Sequence, residues 1–165
     1  HGLFNFLPSY FKDAMVAGFD TVVFSGLLTG FVLLIGIIGQ LLGGRLGDHF
    51  QRKNIYIWVV GLNIPFLILM AFYNGWILFG ITGTLGAINF MFQPVHNSFL
   101  ADVTESDQRG TLYGVSAGIS FSVGSLAGVI GGYIGEFFSI NFIFPSMALF
   151  LIPAVLLAII LKKML

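Results

Sequence analysis

Five stretches of this chain, from about Thr21 to Gly43, Ile55 to Phe72, Trp76 to Ala101, Gly110 to Gly135 and Ile140 to Leu161, run almost without ionisable side chains. A helix needs about 20 mostly apolar residues to cross a bilayer, where no water can satisfy an unpaired backbone group. Each stretch offers about that length. The expected fold is therefore all-α, a polytopic transmembrane helix bundle with five complete spans. The opening run, Gly2 to Pro8, is too short to cross, and it lacks the basic start and small-residue cleavage site of a signal peptide. It reads as the end of a sixth helix whose beginning is missing, and residues 1–165 read as one transmembrane domain.

The polar residues say where the spans end. Gly44-Arg45-Leu46-Gly47-Asp48-His49-Phe50-Gln51-Arg52-Lys53 gathers charge in a chain of which only 8% is charged, against roughly 25% in a soluble domain. Lys and Arg cost roughly 2.5 to 3.5 kcal/mol each at the centre of a membrane helix, so this stretch is expected in water, as a loop between two spans. Lys12, Asp13 and Asp20 mark another aqueous loop, Asn74-Gly75 a tight turn flanked by Tyr73 and Trp76, and Asp102 to Arg109 a second polar loop. In this alternation Arg45, Arg52, Lys53, Arg109, Lys162 and Lys163 share one side, and Lys12 takes the other. By the positive-inside rule, loops 44–53 and 102–109 and the C-terminus are expected to be cytoplasmic.

Several function classes lose their chemistry at this stage. There are no cysteines, which removes disulfides and thiolate metal sites. The three histidines have no metal-ligand spacing, and no nucleophile, base and orienting group can be assembled. No enzyme activity, cofactor or metal is expected, and the expected partner is the lipid bilayer rather than nucleic acid.

Inside the spans, Thr82, Gly86, Asn89, Gln93, His96 and Asn97 fall within roughly one third of a helix circumference. Lipid would penalise that face. It either lines a water-filled cavity or joins helices through side-chain hydrogen bonds, which average about 0.6 kcal/mol in membrane proteins. Small residues recur at four-residue spacing at Gly26 and Gly30, at Gly39 and Gly43, and in the ladder Gly110, Gly114, Gly118, then Gly124, Gly128, Gly132. Such faces let another backbone approach closely, as fixed packing or as a sliding contact. Asn63, Pro65, Pro145 and Pro153 also lie within spans, where a proline bends the helix and frees a carbonyl. No carboxylate lies mid-span, so a site that carries a proton through the membrane would lie in missing sequence or, as the second choice, at His96.

The polar stretch also resembles the loop motif Gly-x-Leu-Ala-Asp-Arg-x-Gly-Arg-Lys of the major facilitator superfamily of secondary transporters, which joins the second and third helices of each six-helix half. Gly44, Leu46, Asp48, Arg52 and Lys53 match in register, Gly47 replaces one small residue by another, and His49 and Gln51 depart from the pattern. Gly124 to Gly132 is similar to the glycine motif Gly-x-x-x-Gly-Pro-x-x-Gly-Gly of proton-coupled antiporters in that family, with Val129 in place of the proline.

The resemblance implies a set of expectations. The chain would be the second half of a twelve-helix transporter in the cell membrane, lacking its N-terminal half and moving a small-molecule substrate by alternating access. The fourth helix would line the substrate path, which makes Asn89, Gln93, His96 and Asn97 the candidate contacts. Gly44, Leu46, Asp48, Arg52, Lys53 and Arg109 would gate it, with Asp48 meeting an arginine or a helix N-terminus. Gly114, Gly118, Gly124, Gly128 and Gly132 would serve helix packing. The rival is a membrane-embedded structural or assembly subunit, in which the polar stripe is buried against a partner helix.

Overall fold

The computed structural model describes residues 2–14, 22–138 and 142–164, and these fold as helices joined by short turns. The helices are α1 (Gly2–Asp13), α2 (Val22–His49), α3 (Arg52–Met70), α4 (Gly75–Asp102), α5 (Arg109–Phe137) and α6 (Ile143–Met164). Asp20, Thr21 and Ile140 lie outside the described residues, as do the side chains of Lys53, Lys162 and Lys163. The all-α bundle expected from the apolar runs is present. Helices α2, α4 and α5, of 28, 28 and 29 residues, are each long and apolar enough to cross a membrane. Helices α3 and α6 follow the other two expected spans, with apolar stretches among the described residues of Asn54–Met70 and Ile143–Leu156. In α3, Arg52 and Lys53 occupy the first turn and the turn before Gly75 stops the helix at Met70.

Two polar stretches expected as loops are helical. Lys12 and Asp13 are the exposed last residues of α1. Gly44 to His49 continue α2, so only Phe50 and Gln51 separate it from α3. Charge demands that these side chains reach water; it does not demand that the backbone leave the helix, and the stretch contains no proline to break it. Where the chain does turn sharply, at Asn74-Gly75, Gly75 has φ +65°, a conformation that costs glycine nothing because it has no Cβ. Pro145 sits in the first turn of α6, where its missing N–H has no intrahelical partner to lose. Pro65, Pro94 and Pro153 lie within helices.

The closest packing is between α2 and α4, which run in the same direction. A Cβ at Gly36 would strike the Phe90 ring, one at Gly39 the Ala87 backbone, and one at Gly43 would fall 2.5 Å from the Met91 carbonyl oxygen. From the other side, Gly86 lies against Val32 and Gly83 against Ile35. Glycine on both helices removes the side chains that would hold the axes apart, and this is how helices associate when lipid supplies no hydrophobic drive. Gly26 and Gly30, by contrast, have nothing within 4 Å.

The short α1 enters the core rather than the lipid. Leu7, Tyr10 and Phe11 are almost fully buried, in one cluster with Leu28, Val32, Leu67, Met70, Leu78, Leu85, Phe144 and Ala148. Tyr10 packs edge-on against Phe144 with ring centroids 4.6 Å apart. Its hydroxyl donates to the Met70 carbonyl, one of the last-turn oxygens of α3 that have no helical partner. A second cluster, Ile55, Val59, Ile88 and Val95, joins α3 to α4 nearer the motif end, with Leu46 packed against it. Outward faces are apolar: Phe31, Leu34, Ile38 and Leu41 of α2 are all more than half exposed. Long apolar helices with apolar exteriors make this an integral membrane protein.

Candidate functional site

A cleft of about 810 Å³ opens between α3, α4 and α5, with Phe4 of α1 and Leu151 and Ala154 of α6 at its margin. Helix α4 supplies its spine. Asn89, Gln93, His96 and Asn97 all line it, so the structure brings the four sequence-derived contact residues to one surface. Gln93 and Asn97 are exposed; Asn89 and His96 are half-buried.

The stripe does not reach the cleft along its whole length. Thr82 is buried, and its hydroxyl donates to the Phe79 carbonyl at 2.9 Å. Gly86 belongs to the α2 contact. At about 100° per residue, the α4 face that meets α2 is centred roughly a quarter turn from the face that meets the cleft. Gly86 falls on their shared edge, which is why a stripe one third of the circumference wide includes it.

Hydrogen bonds hold part of this surface in place. Asn63 donates through Nδ2 to the Val59 carbonyl at 2.7 Å, and its Oδ1 accepts from Asn89 Nδ2 at 3.2 Å, which ties α3 to α4. His96 Nε2 lies 3.1 Å from Ser116 Oγ and ties α4 to α5, and the Tyr113 hydroxyl donates to the Asn97 carbonyl at 3.1 Å. His96 stacks on Phe92 at 5.2 Å and 15°, with Tyr56 6.1 Å away. Its other nitrogen, Nδ1, is buried and has no hydrogen-bond partner.

Sequence reasoning passed over three contributors. Asn63 was noted only as a polar residue in a span, although its side chain organises Asn89. Ser116 lies on the glycine ladder's helix and was hidden by the ladder. Pro94 was not singled out at all; having no N–H, it withholds the bond that the Phe90 carbonyl would accept in a regular helix, and Phe90 lines the cleft. The available signal was a proline between two amides and a histidine inside an apolar run.

The charged residues gather beyond the cleft, at the C-terminal end of α4. Arg52 pairs with Asp102, its Nη1 donates to the Ser98 carbonyl at 3.3 Å, and its Nε donates to the Gly47 carbonyl at 3.3 Å. One guanidinium therefore links the last turns of α2 and α4 to the first turn of α3. Asp102 stands at a helix C-terminus, where the dipole disfavours a carboxylate, and Arg52 offsets that. Arg109 donates to the carbonyls of Ala101, at 3.1 Å, and Thr104, at 3.4 Å, which caps the same end of α4.

Asp48 is exposed in the last turn of α2, the negative end of that helix, and among the described residues Asp102 holds the ion pair with Arg52. Among the described residues, the five glycines Gly114, Gly118, Gly124, Gly128 and Gly132 have nothing within 4 Å of where a Cβ would stand; Gly131 and Gly135, off the ladder, meet Phe6 and Ile143 instead.

The Major Facilitator Superfamily profile matches residues 2–163. Among curated proteins of Bacillus subtilis (strain 168), the uncharacterized MFS-type transporter YqjV is 26% identical over 134 residues, which is 81% of this chain and 31% of that protein. The uncharacterized MFS-type transporter YfnC is 25% identical over 99 residues, 57% of this chain and 23% of that protein. The chain thus spans about a third or less of the relatives it matches. No solved structure matches significantly.

Proposed function

The chain belongs to the major facilitator superfamily, and on that premise we propose that it is one six-helix half of a secondary transporter that moves a small solute by alternating access. The observation that carries this is the cleft. An intramembrane surface bearing Asn89, Gln93, His96 and Asn97 is costly in lipid and useful where a solute is bound. Substrate contacts come from these four residues. The missing N-terminal half closes the open side, and rocking between inward-open and outward-open states exposes the cleft alternately.

Other assignments follow from the same reading. The ends of α2 and α4, with Arg52, Asp102 and Arg109, lie at the cytoplasmic face of the cell membrane, as does the C-terminus, and the residues Gly44, Leu46, Asp48, Arg52, Lys53 and Arg109 gate the path. The open ladder from Gly114 to Gly132 gives the opposite half a close contact along which to move.

A structural or assembly subunit is the rival, and the Asn63–Asn89 bond is the feature that favours it. Exposed Gln93 and Asn97 favour transport. Ser120 lines the cleft beside them, and Ser120→Cys in a full-length protein cleared of other cysteines decides the matter. Transport requires that a membrane-impermeant maleimide label the thiol from each side of the membrane, in right-side-out and in inverted vesicles. Labelling from neither side would mean that a partner helix fills the cleft, and the structural reading would stand.

A further inference from the structure

We propose that the cleft is built for an uncharged, planar apolar solute carrying an amide-like or hydroxyl group, and not for an anion or a cation. The proposal rests on the transport reading above and names the substrate class of that same site.

The first observation is the charge of the lining. Asp, Glu, Lys and Arg are all absent from the described residues around the cleft. The nearest charged residue shown on α4 is Asp102, which Arg52 already neutralises. An ion moved against these helices would lose its water without gaining a counter-charge from them, and an isolated buried charge is among the most unfavourable groups a protein can hold.

The second is the shape of the apolar part. Tyr56, Phe90, Phe92 and Phe121 line a volume within the range of cavities that enclose drug-sized ligands. His96 lies nearly parallel to Phe92, so two flat groups are already stacked in the wall. A flat ligand extends that stack by offset or edge contact.

The third is what the polar groups have left to give. Asn63 uses its amide on Val59 and Asn89. Asn89 retains its carbonyl oxygen and one N–H, and Gln93 and Asn97 stand exposed, each with an amide donor and acceptor. These amides lie on one helix at steps of four residues, and all are neutral hydrogen-bonding partners suited to a neutral hydrogen-bonding solute.

The Ser120→Cys protein separates this inference from the transport reading. Labelling by N-ethylmaleimide is timed in the presence of three compounds of one size and shape: 2-naphthamide, 2-naphthoate and 2-naphthylmethylammonium. The expected result is that 2-naphthamide slows labelling at least threefold at concentrations where the anion and the cation change it by less than one half, and that Gln93→Ala abolishes this protection. Equal or greater protection by the anion or the cation overturns the proposal, and so does protection by none of the three. Each of those outcomes leaves the transport reading intact, because a thiol that labels from both sides has already shown an accessible path.

Discussion

The α2 face that meets α4 and the outer face of α5 are paved alike, with glycine recurring at about one helical turn, and they differ in everything that follows. On α2, Gly36, Gly39 and Gly43 lie where any side chain would run into α4. On α5, Gly114, Gly118, Gly124, Gly128 and Gly132 look onto open space. Small residues permit close approach; they do not cause it. The α2 face is closed because α4 lies on it, Phe90, Ala87 and Met91 meeting its glycines and Gly83 and Gly86 taking Ile35 and Val32 in return; among the described residues nothing meets the α5 ladder in this way.

The sharpest way to break this comparison is to add the same side chain to both faces. Gly39→Leu drives a side chain into the Ala87 backbone, which cannot step aside as a side-chain tip can. Overpacking of this kind costs about 1 to 3 kcal/mol, so the purified protein is expected to lose on the order of 10 °C in Tm, or to fail to fold. Gly128→Leu is expected to leave Tm within about 2 °C, since it meets nothing in this chain, while slowing transport if the opposite half slides along that face. Gly39→Ala supplies a graded form of the first variant, with a smaller loss in the same direction. Equal sensitivity at Gly39 and Gly128 would mean that both faces are permanently covered.

A smaller effect is expected where the polar ends of these helices meet. Arg52→Ala removes the ion pair with Asp102 and the bonds to Ser98 and Gly47 together, whereas Asp102→Asn removes only the first. Both side chains are partly exposed, at 31% and 51%, so the pair is worth no more than about 1 kcal/mol, and the carbonyl bonds add a comparable amount. Thermal unfolding should therefore show Arg52→Ala to be the more harmful, and the double variant to be no worse than Arg52→Ala alone. Additive losses would show that Arg52 and Asp102 act independently.

How far the sequence discloses all this depends on which residues are asked. Apolar length and the positions of charge are properties of single segments, and they place α3 to α6 to within three residues at each end; Trp76 to Ala101, for example, becomes Gly75–Asp102. Side-chain period carries Asn89, Gln93, His96 and Asn97 to one surface for the same reason, because a helix fixes angle from number. What stays hidden depends on a second helix. Nothing in the spacing of Gly26 and Gly30 differs from that of Gly39 and Gly43, yet only the latter pair finds α4. Asn63 gains its role from Asn89, and Ser116 from His96, across helix contacts that no single segment encodes. The polar stretch from Gly44 to His49 misleads in another way, since solvation belongs to side chains and helix to backbone, and both can hold at once.

Asp48 carries the smallest expected effect on stability and the most pointed question. It is exposed, it stands at the negative end of α2, and among the described residues the ion pair with Arg52 is held by Asp102. A carboxylate so placed gains nothing from its own helix and loses a little to the dipole. Asp48→Asn should accordingly leave Tm within about 2 °C, or raise it slightly, in contrast to Arg52→Ala a few residues away. If Asp48 nevertheless latches one state by meeting the opposite half, the same variant shifts the ratio of inward to outward labelling at Ser120→Cys while Tm stays fixed. A lowered Tm with an unchanged ratio would mean the reverse, that Asp48 supports the fold of this half and has no part in gating. The polar end of α2 would then resemble the α2–α4 seam, a fixed joint, rather than the open face of α5.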